Sequence, residues 1–471
     1  MKTNTNEKTW SVGTIIYNKR SLITLFLWLL WGDFCFTVME TLVPAIMPLK
    51  LEQMSASNML IGVFLTTIPG ILSATINPMV SFKSDRYRSK YGRRIPFLLF
   101  SSPFITLFLI LIGYSEHIST FITKFFSTNP TTTVFTVLGI FLICFQFFNM
   151  FVNSVYWYLF NDVVPKEYLG RFLALFRMVG TIASALFNFF ILKFALSHFT
   201  QIMIIVAILY FVVFMLMCLK VKEGDYPPPE KNIDGDTNFI SSVKTFFCEC
   251  FGHKIYWGFY LFTAFWNMSA AIIPFYILMY KSMGMTVDQF GKIGGIIGVI
   301  TTVLLYPAGW ISDKYHPIIT MKIAMITVVA STPLFFIFLF KDFSPKEVVV
   351  LYAIISAITL PMLALYVAAE LPTYMKILPK EKYGQFSSSS AMVRAIGVII
   401  AGVLAGGFMD HVKAIYATSS NPDFYYRFAP IFAWVFQILS LFAFLYVFKI
   451  WKQRGGIKGY APPKNSENKY I

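Results

Sequence analysis

Apolar runs of about 19 to 27 residues recur along the whole chain, each long enough to cross a hydrocarbon core of about 30 Å as a helix. Backbone groups in lipid must be satisfied within their own segment, so helices are the natural reading. Composition agrees: 57% of the 471 residues are hydrophobic and 13% charged, against about 25% charged in soluble domains. Hydropathy places twelve spans at about 21–47, 58–80, 95–113, 132–160, 172–194, 201–219, 255–280, 288–311, 318–340, 347–369, 385–408 and 427–450, to within a few residues at each end. Met1 to Arg20 is polar and lacks an apolar core followed by a small-residue cleavage site, so no cleaved leader is expected.

Twelve spans put both termini on one side. That side carries Lys2, Lys8, Lys19, Arg20, the run from Lys83 to Arg94, Lys166, Arg171, Lys314, Lys376, Lys380 and Lys382. By the positive-inside rule it is cytoplasmic. The net charge of +16 therefore orients the chain, and no nucleic-acid partner is expected. Cys35, Cys144, Cys218, Cys248 and Cys250 form no C-x-x-C pair and read as packing residues rather than a metal or redox site. No cofactor is expected.

Between the sixth and seventh spans runs KVKEGDYPPPEKNIDGDTN, whose prolines, glycines and charges mark a flexible link. The expected organisation is a six-helix bundle over 1–219, a linker over 220–254, a second bundle over 255–450 and a tail over 451–471. Phe239 to His253 alternates apolar and polar residues at helical spacing, as either an interfacial helix or a plain amphipathic linker helix would.

The two halves resemble each other at matching loops, as the halves of many secondary transporters do. P-K-E-Y-L-G-R-F from Pro165 follows the fourth span, and P-K-E-K-Y-G-Q-F from Pro379 follows the tenth. Each is followed by R-x-x-G, Arg177 with Gly180 and Arg394 with Gly397, while Tyr158 and Asp162 match Tyr366 and Glu370. The loop after the second span contains Asp85, Arg86, Gly92, Arg93 and Arg94, and its counterpart after the eighth contains Gly309 and Asp313. These loops are candidates for a matched cytoplasmic gate, with a solvated topology signal as the alternative for either loop alone.

Two stretches carry a family resemblance: Gly32-Asp33-Phe34-Cys35-Phe36, and Ser84-Asp85-Arg86 followed by Gly92-Arg93-Arg94-Ile95-Pro96-Phe97. They resemble the major facilitator superfamily and, within it, the glycoside-pentoside-hexuronide:cation symporters, on the branch of sucrose and proton-associated sugar transporters. The resemblance implies an all-α membrane fold of two pseudo-symmetric six-helix bundles, with alternating access and substrate bound between the halves. It also implies proton coupling and places Asp162 at the position of that branch's protonating aspartate.

An ionisable group at a helix centre costs about 2.5–3.5 kcal/mol on insertion scales, so each intramembrane charge is a functional candidate. Asp33 and, two turns on, Glu40 share a face of the first span. Each is a candidate proton carrier or a carboxylate fixed by a cation, since burial and a neighbouring charge act oppositely on proton affinity. Asn149, Asn153, Trp157 and Asp162 lie on a broad common face of the fourth span. Amides serve sugar hydroxyls and an indole packs on a pyranose face, although amides also serve as interhelical glue. Asp162 is either a coupling acid or a gate charge at the helix end, and Arg177 is its expected partner. Arg394, Trp266, Asn267 and Tyr366 are the candidate ligands in the second half, with Glu370 a further coupling candidate.

His117, His198, His253, His316 and His411 fall in loops or at span ends. No metalloprotease-type H-E-x-x-H and no phosphate-cradling G-x-x-x-x-G-K-[ST] occurs. A membrane enzyme or an ATP-driven pump is thus disfavoured against a monomeric, gradient-driven transporter in a plasma or bacterial inner membrane. A sugar or glycoside with a coupling cation, a proton before sodium, leads as substrate. Peptidoglycan fragments, nucleosides or drugs are the alternatives.

Overall fold

The computed structural model describes residues 9–225, 248–417 and 421–463. Among the described residues twelve helices are long and apolar enough to cross a membrane. They run Lys19–Gln53, Asn58–Arg86, Ile95–Gly113, Pro130–Val163, Lys166–Phe194, Phe199–Lys220, Lys254–Ser282, Val287–Tyr315, Pro317–Phe340, Pro345–Ile377, Tyr383–Tyr416 and Phe424–Gln453. We refer to them as spans one to twelve. Each expected span is present, and several continue past the apolar stretch. Span two runs on through Lys83 to Arg86, because the helix keeps its hydrogen bonds after hydropathy has fallen. Most of the expected interfacial helix lies outside the described residues, with a helical turn at 248–251.

The chain divides into two compact units, Met1–Lys50 with Leu72–Lys231, and Leu51–Ile71 with Asn232–Ile471. The division differs from the expected bundles at 51–71, for a physical reason. The first turns of span two pack backbone to backbone on span eleven: a methyl on Gly62 would lie 2.1 Å from the Gly402 carbonyl oxygen, and one on Gly406 would lie 2.5 Å from that of Asn58. Small residues permit such approach where helices associate by close packing. Thr67 Oγ1 donates to the Ile399 carbonyl at 2.9 Å. The Asp410 carboxylate accepts the N–H groups of Asn58 at 3.0 Å and Met59 at 2.8 Å, satisfying donors that a helix start leaves open. Directly after Gly62 the helix widens into a π turn over Val63–Thr67.

In the first unit, spans one, four, five and six meet through edge-on and tilted aromatic contacts. Tyr156, buried, donates to the Leu29 carbonyl at 2.9 Å, and its ring lies against Phe36, Phe160, Phe176 and Phe214. In the second unit Tyr256, Phe259, Tyr260, Phe262, Met321, Phe444 and Trp451 form a buried core. Two elements outside the spans also appear. An antiparallel hairpin pairs Trp10–Val12 with Ile15–Tyr17 around Gly13, whose φ of +57° favours glycine. A twelve-residue amphipathic helix, Ser115–Phe126, exposes Phe121, Phe125 and Phe126, and Glu116 in its first turn holds Lys50 at 2.8 Å.

Candidate functional site

Spans one, four and five assemble a polar constellation inside the first unit. Glu40 accepts hydrogen bonds from Asn153 Nδ2 at 2.5 Å and Asn149 Nδ2 at 3.3 Å, so two amides one helical turn apart bind one carboxylate oxygen. Asn149 is buried and its own Oδ1 has no partner among the described residues. Asp33 is 1% exposed. Thr37 Oγ1 donates to Asp33 Oδ1 at 3.4 Å, while Oδ2 has no hydrogen-bond partner among the described residues. Gly180 brings span five against this carboxylate: a methyl there would lie 3.3 Å from Thr37 Oγ1 and 3.5 Å from Asp33 Oδ2. One turn earlier on the same helix, Arg177 is near enough to act electrostatically on Asp33. Its exposed guanidinium stands 5.4 Å from the centre of the Trp157 ring.

The expected pairing of Asp162 with Arg177 is not the one formed. Arg93 grips Asp162 with two bonds, Nε at 2.9 Å and Nη2 at 2.5 Å, and Arg94 Nε adds a third at 3.1 Å. Arg94 also binds Ser84 Oγ at 2.5 Å and pairs with Asp85, and its guanidinium lies 5.1 Å from the Tyr158 ring centre. The physical reason is reach. Asp162 sits one residue before the end of span four, beside the loop that follows span two, whereas Arg177 lies three turns inside span five. Planar guanidinium forks also bind a carboxylate bidentately.

A residue absent from the sequence reading completes this cluster. Glu223, just beyond span six, accepts the backbone N–H groups of Arg93 at 3.0 Å, Arg94 at 2.8 Å and Ile95 at 2.6 Å. It thereby caps span three at the point where both arginines enter. Burial pushes its carboxyl pKa up, against the opposing effect of those three N–H donors. Gly92 has φ +102°, and a methyl there would fall 2.5 Å from Glu223 Cβ, so that position demands glycine twice over. The signal in the sequence was only an acid in a charged stretch, K-V-K-E-G-D.

The second unit repeats the scheme with different chemistry. The rings of Trp266 and Tyr366 stack at 3.7 Å, and the buried Tyr366 hydroxyl has no partner among the described residues. Tyr374, also missed from sequence, donates to Glu370 Oε1 at 2.7 Å. Arg394 lies in the neighbourhood of both tyrosines. Asn267 spends a donor on the Thr263 carbonyl at 2.8 Å. Of the remaining gate candidates, Arg86 is exposed, Gly309 has open space around it, and Asp313 is exposed with no hydrogen bond or ion pair among the described residues.

Twelve apolar spans, an internal repeat and this pair of polar constellations meet a matching sequence profile: that of the Major Facilitator Superfamily fits residues 29–402. The chain belongs to the Major Facilitator Superfamily. It is an integral multi-pass membrane protein with the fold of a transporter. No curated protein matches its sequence. Solved structures of similar fold include a bacterial homologue of the human lysosomal transporter Spinster, with TM-score 0.67 and 12% identity over 93% of this chain and 99% of that one. The nucleoside transporter NupG gives 0.67 and 14% over 90% and 100%, and a D-xylose–proton symporter gives 0.64 and 14% over 96% and 100%. At these identities the likeness is one of fold. The Major Facilitator assignment accounts for the repeated R-x-x-G turns, which sit at matching places in the two units.

Proposed function

We propose that this transporter is a proton-coupled symporter of a sugar or glycoside, working by alternating access with both termini in the cytoplasm. The observation that carries the reading is the state of Asp33. It is a buried carboxylate with one oxygen lacking a hydrogen-bond partner among the described residues, and the nearby Arg177 sets its guanidinium over the Trp157 indole. A coupled carrier must bind and release its ion as the protein changes state, and a carboxylate beside a releasable guanidinium supports that exchange. Asp33 is accordingly the proton carrier in this proposal. Asp162, engaged by Arg93 and Arg94 with Asp85, serves the gate.

Sugar recognition rests on groups with spare hydrogen-bonding capacity beside aromatic faces: Asn149 and Asn153 with Trp157 and Arg177, and Tyr366 with Trp266 and Arg394. The test is uptake of a panel of labelled sugars and glycosides into proteoliposomes under an imposed proton or sodium gradient. The reading expects at least one sugar to accumulate under the proton gradient and to leak back when a protonophore is added. Accumulation under sodium alone, or of none of the panel, would contradict it.

A further inference from the structure

After span twelve the chain reverses sharply at Gly455 and Gly456, with φ of +106° and +52°. A methyl on Gly455 would lie 2.6 Å from the Gly459 carbonyl oxygen, so the reversal needs glycine. The returning segment is fastened by the Tyr460 hydroxyl, which donates to the Ile377 carbonyl at 3.1 Å, and by the Ala461 N–H, which reaches the Arg454 carbonyl at 3.4 Å. It walls a cavity of about 730 Å³ in the second unit, lined by His316, Lys376, Lys380, Lys382, Trp451 and Tyr460 among others.

The charges around this cavity do not balance. Lys382 is paired with Glu249 at 2.7 Å. Lys376 and Lys380 have no carboxylate partner among the described residues. His316 stands at φ +78°, a backbone strain rarely accepted outside glycine. Its Nδ1 accepts the Ile318 N–H at 3.4 Å, which leaves Nε2 as the donor, and its ring lies 5.3 Å from that of buried Trp451. Burial and the nearby Lys376 push the His316 pKa down. Like charges gathered on a partly enclosed wall repel, and a multivalent oxyanion with several acceptor atoms relieves that repulsion. The volume lies within the range of about 300–1,000 Å³ found for organic ligands and exceeds what a bare ion fills. Buried Trp451 backs the His316 side of the cavity.

We propose that this cavity is a binding site for a phosphate ester, held by Lys376, Lys380 and His316, with the folded-back C-terminal segment as its wall. The phosphate comes either from an anionic lipid headgroup or from a soluble phosphorylated compound. Lys376 lies on the last turns of span ten, two residues beyond Tyr374, so occupancy steadies the helix that carries Glu370 and Tyr366.

The test measures thermal unfolding of the full chain in nanodiscs of phosphatidylcholine, of phosphatidylcholine with phosphatidylglycerol, and of phosphatidylcholine with added inorganic pyrophosphate. A rise of the midpoint in the second condition assigns the site to lipid, and a rise in the third assigns it to a soluble phosphate. Either rise must weaken about tenfold or more in apparent affinity in Lys376→Gln/Lys380→Gln, and must persist in Lys346→Gln, an exposed lysine far along the sequence from the cavity wall. Should the double variant fail to fold, Lys380→Gln alone, at an exposed position, gives the same reading. No rise in either condition, or a rise unchanged by the lysine substitutions, overturns the proposal.

Discussion

Gly180 abuts Asp33: a methyl on the glycine would stand 3.5 Å from Asp33 Oδ2, and in the other half one on Gly397 would stand 3.4 Å from Ala264 Cβ. The repeated R-x-x-G turn thus brings span five against span one and span eleven against span seven in the same way. In the first unit the contact meets Thr37 and the Asp33 carboxylate, and in the second it meets the apolar side chains of Met268 and Ala264. At this turn the internal repeat preserves the packing, and only the first unit's contact includes a carboxylate.

That asymmetry gives a paired prediction. Gly180→Val crowds Thr37 and Asp33, which cannot move without breaking their mutual bond, and transport falls at least about tenfold in protein that still folds, a cost in the range of overpacking of about 1–3 kcal/mol. Gly397→Val meets Met268, an adaptable side chain, and loses less. Initial uptake rates of both variants at matched protein amounts check this, and equal losses would count against a special role for the Asp33 contact.

Gly62→Ala tests the packing of span two on span eleven. Its new methyl meets a backbone oxygen at 2.1 Å, so no rotamer change relieves it, and the unfolding free energy drops by about 2 kcal/mol or more. Asp410→Ala removes the acceptor of the Asn58 and Met59 N–H groups and costs about 1 kcal/mol, as lost helix caps do. Thermal unfolding in detergent orders the two, Gly62→Ala being the lower.

Glu223 makes stability depend on pH in a known direction. Burial raises its pKa above the ordinary 4.5, so the folded state holds that proton more tightly than the unfolded chain. The stabilisation is full below the ordinary value and is lost as pH rises through the raised one. Glu223→Gln removes this component, and the difference between wild-type and variant unfolding midpoints should change across that window and level off on either side. A difference that is flat with pH would show that Glu223 does not titrate in this way.

Tyr366→Phe removes a buried hydroxyl that has no partner among the described residues. Folding should be unaffected, and sugar affinity should weaken by about five- to tenfold, the worth of one hydrogen bond of about 1–1.5 kcal/mol. Ligand-dependent thermal shifts measure it, with unchanged affinity removing Tyr366 from the site.

The spans were legible because each must be apolar over its whole crossing, and the repeat was legible because matching loops keep matching residues. Partner choice was not. Asp162 could reach an arginine on span five or one in the loop before span three, 68 and 69 residues earlier, and only the end-of-helix geometry decides between them. Glu223 hid among neighbouring charges because its work is done on backbone N–H groups, which leave no trace in side-chain spacing. The Trp10–Tyr17 hairpin has strands of three residues, too short for an alternation to stand out. The Ser115–Phe126 helix, at twelve residues, is too short to stand out as a membrane-length apolar run.

The central claim is that Asp33 carries the coupled proton, and Asp33→Asn tests it most directly when uphill accumulation and counterflow exchange of sugar are measured in the same proteoliposomes. Exchange requires no net proton release, so the account predicts that Asp33→Asn abolishes accumulation under an imposed proton gradient while exchange persists. Asp162→Asn, which loosens the gate, should slow both modes together. Accumulation that survives in Asp33→Asn would contradict the account.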